Sequence, residues 1–423
     1  MNKQIVASLV LAIGLWGSLT TTGWAQPSGP IVANAFPGMP SALVDRSNYI
    51  SPFASLFTST SGPSSSDELQ AYYRSSSRSR LLEVPEMFGD FRRGGPVLSL
   101  TPATGSAPRL QTEIPIAAAI SGLRIAENNQ ALPSDRVWVA YNYFHNAVDV
   151  QTDNRLGLTP QANSQSLHRT MIAFEKLLDS GRTSLELRMP FGGAFNTDGA
   201  AGFPVDAVTY GVQGSNIGNL NLLLKRLLYA DESFALSAGL GLEVPTGSSG
   251  DISYGPIFAS LDSQAVHFVP FLAATKRSGC WFGHFFTQLD VASQGDPLRV
   301  TLNQAGSGDL IGRVNQPTLL GFDFGGGYWL VPPSCCCGRG LAIIAEAHYT
   351  TPLEEDDQFA ATGALTSASV NTSAGTAYEV LNFTTGLQIA LGNGWRLRSG
   401  AVFPGRAERL FDAEYLLQIN RGF

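Results

Sequence analysis

A set of ionisable residues shares one property: each occupies an alternate position in a stretch whose other positions are apolar. They are Glu186, Arg188, Lys225, Glu243, His284, Asp290, Asp323, Glu346, His348, Arg396, Arg398 and Glu414. Both signs of charge are present. Gathered inside a tube, they could set a transverse field that orients polar solutes, because rings of charged side chains are one way a pore selects. They could equally pair with neighbours and fill a narrow lumen. Arg396 and Arg398 precede a run carrying Asp412 and Glu414, which invites cross-strand pairing. His145, His168, His267, His284 and His348 are scattered without metal-ligand spacing, so no metal site is assigned. The chain has no G-x-S-x-G elbow, phosphate loop or H-E-x-x-H, and therefore no assigned catalytic residue or cofactor. Gly325-Gly326-Gly327 reads as strand glycine at a bend or close contact.

The elements that must carry these residues are strands. Along Phe234 to Val244, Leu236, Ala238, Leu240, Leu242 and Val244 alternate with Ser237, Gly239, Gly241 and Glu243. Leu320, Phe322, Phe324, Gly326, Tyr328 and Leu330 make a second stripe; Leu185, Leu187, Met189 and Phe191 a third; Trp395, Leu397, Ser399, Ala401 and Phe403 a fourth. Strands are expected near 113–125, 136–147, 168–178, 182–191, 217–229, 233–245, 265–275, 281–292, 317–330, 340–350, 379–391, 395–404 and 411–423. Short connections alternate with long polar ones at about 148–167, 192–216, 246–264, 293–316 and 351–377. That alternation is the pattern of outer-membrane barrels. An antiparallel sandwich would also alternate in polarity, but has no reason to segregate loop lengths. Even parity then asks for one more strand, and Val97 to Thr101 is the candidate. The expectation is an all-β, closed antiparallel transmembrane barrel of ~14 strands, with 12 as the runner-up.

Composition agrees. Of 423 residues, 14% are charged, against ~25% in soluble domains, as suits a surface facing lipid. The formal charge of −7 excludes a nucleic-acid partner, which requires a basic footprint. Residues 1–25 read as a signal peptide: Lys3, an apolar run from Ile5 to Trp16, then Gly23-Trp24-Ala25 before Gln26. Residues 26–95, rich in Ser, Pro and Gly, form a partly disordered head, either a lumenal plug or periplasmic; residues 96–423 carry the barrel. Cys280 lies in one short turn and Cys335, Cys336 and Cys337 in the next, so a disulfide from Cys280 to one of the triplet is expected.

The last run sets Tyr415, Leu417, Ile419 and the terminal Phe423 on one face, with Arg421 among them. It resembles the terminal strand that outer-membrane barrels present to the barrel-insertion machinery. Asp135 to His145 and the hairpin Phe174 to Phe191 extend the likeness: residues 96–423 resemble the porin-like barrels of the phenol-degradation meta-pathway family. The resemblance implies a cell outer membrane location, outer-membrane lipid as a partner, and passage of small, often hydrophobic or aromatic solutes. It carries over no site residues. The sequence is compatible with a monomer or a homo-oligomer. A non-transporting structural or adhesive envelope barrel, and a barrel hydrolase assembled without a sequence signature, stand as alternatives.

Overall fold

The computed structural model describes residues 83–90, 96–103, 108–113, 122–153, 161–178, 181–192, 196–201, 208–213, 217–304, 306, 308–333, 338–354, 358–371, 379–406 and 409–423. The expected signal peptide, most of the expected head, and Cys335 to Cys337 lie outside them.

Alternation of apolar and polar residues at a period of two sets the elements. β1 (Val97–Pro102) and β2 (Arg109–Glu113) come first, followed by β3 (Arg136–Asp153), β4 (Gln161–Leu178) and β5 (Thr183–Gly192). β6 (Asn196–Ala201) and β7 (Val208–Gln213) lie in the connection to β8 (Leu220–Ala230) and β9 (Phe234–Val244). β10 (Gly250–Tyr254) and β11 (Ile257–Leu261) precede β12 (His267–Ser278) and β13 (Trp281–Ala292). β14 (Asp296–Val300) and β15 (Asp309–Val314) precede β16 (Leu319–Val331) and β17 (Arg339–Pro352). β18 (Gln358–Thr362) and β19 (Thr366–Asn371) lead to β20 (Val380–Gly392), β21 (Trp395–Pro404) and β22 (Ala413–Gly422).

Twelve of these strands form a closed antiparallel ring, in the order β3-β4-β5-β8-β9-β12-β13-β16-β17-β20-β21-β22. The ring shuts where β22 pairs with β3, from Ala413 opposite His145 to Gly422 opposite Arg136. Phe423 N then donates to Asp135 O at 3.1 Å. The larger of the two expected strand counts is corrected: the wall has 12 strands, not 14. Val97–Pro102 is a strand, but it pairs with β19 and β2 outside the wall. Of the stretch expected at 113–125, the described residues are no wall strand either: Glu113 ends β2, and residues 125–128 turn inside the lumen. The even parity holds; the excess came from counting 113–125 and Val97 to Thr101 as wall strands. This chain crosses through the middle instead.

Outward positions form an apolar belt. Ile172, Phe174, Leu187, Met189, Phe324 and Leu387 are each exposed by 39 to 54%. A soluble protein rarely leaves so continuous an apolar surface in water; here it is the lipid-facing band of a membrane-spanning barrel. Tyr229, Trp281 and Trp395 are exposed at strand ends, where amphipathic rings favour the headgroup level. Trp329 does not join them: it points inward and is buried. The short turns gather at one end. Asn393 and Gly394 both have positive φ (53° and 79°), the two-residue turn whose twist matches a hairpin.

The long connections are not irregular polar loops. β2 pairs with the far end of β3 and continues into a sheet ordered β18-β19-β1-β2-β3. A second sheet, β15-β14-β11-β10-β7-β6, joins a shared core with it. Leu98, Leu100, Leu110, Val150 and Val370 come from the first sheet, and Ile252, Tyr254, Ala259, Leu298 and Val300 from the second. Tyr254 Oη donates across to Pro108 O at 2.6 Å. A two-sheet cap therefore sits at the long-loop end of the barrel.

Candidate functional site: a lumen filled by the chain before the wall

Eight strands give a barrel that its own side chains can fill; wider ones enclose water or an inserted segment. In this twelve-stranded ring the filling is the chain preceding β3. It enters at the short-turn end, where Glu83 O accepts hydrogen bonds from Trp329 Nε1 (3.2 Å) and Arg277 Nη1 (3.3 Å). Residues 83–90 run up the lumen. The chain goes out to β1 and β2 in the cap and comes back through residues 122–135. The two passes bond to each other: Met87 N donates to Asn129 O at 2.8 Å, and Asn128 N to Phe88 O at 3.3 Å.

Wall glycines are shaped to this filling. A Cβ on Gly241 would lie 2.3 Å from Leu123 Cδ2, and one on Gly386 would lie 2.5 Å from Phe88 Cε2. A Cβ on Gly325 would press on Met87 at 3.1 Å. The guanidinium of Arg398 covers the other side of the Phe88 ring, 4.2 Å from its centroid.

The expected lumenal residues hold this segment or brace one another. Glu346 accepts from Phe88 N at 2.7 Å and Gly89 N at 3.0 Å. Arg398 donates to Met87 O (3.2 Å), Asn128 Oδ1 (2.8 Å) and Gln418 Oε1 (2.6 Å), and also to Glu86 O. Arg396 is ion-paired with Glu86. Lys225 Nζ lies 3.0 Å from Glu175 and donates to Asn129 Oδ1 at 2.9 Å. Arg188 donates to Arg124 O at 2.8 Å and to Glu186 Oε1 at 3.0 Å, and Glu186 also accepts from Trp138 Nε1 at 2.9 Å.

The remainder bind wall neighbours. Glu414 takes Asn142 Nδ2 at 2.6 Å, and Glu243 takes Asn219 Nδ2 at 2.8 Å. Asp290 meets His267 Nδ1 at 2.7 Å, and His284 meets Thr275 Oγ1 at 3.0 Å. The pairing invited between the arginines and Asp412 or Glu414 does not form, because the register sets Arg398 opposite Gln418 and Glu414 opposite Val402. Of the whole set only Arg396 is appreciably exposed, its side chain by 24%.

One group has the order of a nucleophilic site. Asp323 Oδ1 lies 2.8 Å from His348 Nδ1, and Thr384 Oγ1 lies 3.0 Å from His348 Nε2. Glu346 Oε2 contacts that same Nε2 at 3.2 Å, and all four side chains are buried. A base whose outer nitrogen is already shared with a carboxylate is poorly placed to activate a hydroxyl. The arrangement instead fixes Glu346 for its two backbone donors.

Several functional residues escape a sequence reading that starts from charge on stripes already identified. Arg136 donates to Glu175 Oε2 at 2.6 Å and to Asn128 O at 2.6 Å. Arg169 binds Glu127 in two-pronged fashion, and Gln288 Oε1 accepts from Ile125 N at 2.8 Å. The signal was present: Arg136, Trp138, Ala140 and Asn142 alternate with Val137, Val139, Tyr141 and Tyr143.

On the outside, Tyr415, Leu417, Ile419 and Phe423 are exposed by 54, 45, 43 and 74%. Arg421, which interrupts their apolar run, lies over the Trp395 ring at 5.0 Å and the Phe423 ring at 5.7 Å. Cys280 O accepts from Trp329 N at 2.9 Å, so its turn sits beside the end of β16. Its expected partners Cys335, Cys336 and Cys337 are outside the described residues.

No family model matches the chain, and no curated protein matches it. Solved barrels are similar in structure. The translocator domain of the autotransporter NalP from Neisseria meningitidis matches with a TM-score of 0.41 at 10% identity, covering 69% of this chain and 88% of that one. The COG4313 outer membrane channel from Pseudomonas putida F1 matches with a TM-score of 0.38 at 14% identity, over 72% and 98%. The toluene transporter TodX from Pseudomonas putida matches with a TM-score of 0.37 at 10% identity, over 68% and 87%.

Proposed function

We propose that this chain is an outer-membrane channel for small solutes, held shut in this conformation by its own N-terminal segment. One observation carries the reading: residues 83–90 and 122–135 fill the lumen between the wall's side chains, held by hydrogen bonds, ion pairs and the packing of Met87, Phe88, Leu123 and Ile125. A barrel serving only as an anchor has no need of a lumen wider than its side chains can fill. The likeness of the Asp135 to His145 stretch and the Phe174 to Phe191 hairpin to phenol-degradation barrels supports small apolar or aromatic molecules as the solutes. The mixed lumenal charges suggest a wet polar pore when read alone. Their use in binding the filling segment favours a plugged route. Export follows the reading of residues 1–25 as a cleaved signal, which N-terminal sequencing of membrane-extracted protein checks.

Planar-bilayer conductance is the test. Intact protein should be silent or open rarely, and protein with residues 83–90 replaced by a Gly/Ser linker should give stepwise currents. A linker variant that keeps the heat-modifiable mobility of a folded barrel yet stays silent refutes the channel. The cap favours a second reading, a surface-displayed binding module. Deleting β10, β11, β14 and β15 without loss of solute uptake would support it.

A further inference from the structure

The cap sheet β18-β19-β1-β2-β3 has two unlike faces. One is the apolar core side. On the other, the pairing register aligns a single row across all five strands: Ala360 opposite Ser369, Ser369 opposite Ser99, Ser99 opposite Gln111, and Gln111 opposite Gln151. At ~4.8 Å between strands, the row is about 19 Å long. Its profile is concave. Gln111, Gln151 and Ala360 are exposed, Ser369 is half-buried, and Ser99 at the centre is only 7% exposed. Two cavities open along this face, one of about 410 Å³ and one of about 350 Å³, and both are lined by Val97 and Gln111. Each falls within the ~300–1,000 Å³ of small-ligand sites. Gln358 and Arg109 stand at the borders of the second.

Solvated faces of antiparallel sheets normally carry charge. The row itself offers hydroxyls and primary amides, and charge is confined to its edges, where Arg109, Arg409 and Asp412 line the cavities. Among the described residues, the side chains of Ser99, Gln111, Gln151, Gln358 and Ser369 make no hydrogen bond, so their donors and acceptors are open. A primary amide presents a donor pair beside an acceptor, which matches two neighbouring hydroxyls of a sugar ring. Gln151 lies six residues beyond His145, the last β3 partner of β22. At ~3.3 Å per residue the row is roughly 20 Å above the point where the wall closes, clear of hydrocarbon.

We propose that the Ser99–Gln111–Gln151 row is a binding groove for an extended, uncharged oligosaccharide. The ligand lies across the strands, with its hydroxyls on the amides and one ring over the Ser99 floor. This site is independent of whether the lumen conducts. The sugar could come from the surrounding medium or from a neutral outer saccharide of the outer leaflet's own lipid; both would present the same ring hydroxyls to the row.

The test uses the full-length protein in detergent, titrated calorimetrically with maltoheptaose, chitotetraose and purified lipopolysaccharide. Binding of any of the three, weakened at least tenfold in Gln111→Ala/Gln151→Ala, supports the groove; both side chains are exposed, so this variant keeps the fold. Ser99→Phe should abolish binding by filling the floor. If Ser99→Phe disturbs the cap, the double variant still decides. Binding of lipopolysaccharide alone supports the groove and assigns its ligand to the membrane. No binding of any probe by folded protein overturns the proposal, as does binding that the double variant leaves unchanged.

Discussion

Replacing Glu346 with alanine should loosen the lumenal segment while leaving the wall intact. The carboxylate accepts from Phe88 N at 2.7 Å and Gly89 N at 3.0 Å, both buried. Leaving a buried donor unsatisfied costs ~1–3 kcal/mol, and two are stranded here. Water entering the vacated space recovers some of this, so the loss is taken as about 3 kcal/mol. At 1.4 kcal/mol per factor of ten, the docked state should fall roughly 150-fold relative to the released one. Hydrogen exchange read by mass spectrometry on the peptide covering residues 83–90 would show protection reduced by about that factor. Peptides from β20 and β21 should exchange as before, because the ladder pairing β17 with β20 is main-chain. Glu346→Gln keeps one acceptor oxygen and should fall between. Unchanged protection of residues 83–90 in a folded Glu346→Ala barrel would refute the view that this carboxylate clamps the segment.

Three further outcomes follow from the same geometry. Phe88→Ala, which empties the space against Gly386, should weaken docking by ~3–5 kcal/mol, read by the same exchange experiment. Gly327→Val should abolish the heat-modifiable barrel band, because even its Cβ would fall 2.3 Å from Ile343 O and from Phe282 Cζ; Gly326→Ala, whose Cβ meets only Phe282 O at 3.5 Å, should retain it. At the β8–β9 turn, the backbone N–H of Ser233 chief among its donors holds the Asp231 carboxyl below its ordinary value. A depressed carboxylate stabilises above its unfolded pKa and loses that stabilisation as pH falls through the folded one. The protection factors of the Ser233 and Phe234 amides, corrected for the intrinsic pH dependence of exchange, should therefore fall at acid pH, and Asp231→Asn should flatten that fall.

Much of the wall was legible because a lipid-facing strand obeys one strict rule. Leu236, Leu240 and Leu242 must face out, which forces Ser237 and Glu243 inward, and both are buried. The turn at Asn393-Gly394 was readable from residue type. The filling of the lumen was not. Leu123, Ile125 and Ala126 look like strand, and Glu127-Asn128-Asn129-Gln130 looks like a solvated loop. What fixes them are partners far along the chain, such as Asn420 for Asn128 and Lys225 for Asn129. No local pattern encodes such pairings. The cap escaped for a different reason: its strands β10, β11 and β14 are five residues each, too short for a periodic signal to rise above loop composition.

The closing pair of the wall joins its first strand, β3, to its last, β22. Residues 83–90 and 122–135 therefore thread a ring that does not exist until the final residues have paired. The β1–β2 hairpin lies at the far end from the short turns, yet it is connected on both sides through the lumen. It must reach that end while the seam is still open, since a finished ring would leave only a crowded bore to pass through. The topology favours an order of assembly in which the cap hairpin crosses first, the two lumenal passes settle against the half-built wall, and the seam between β22 and β3 closes around them.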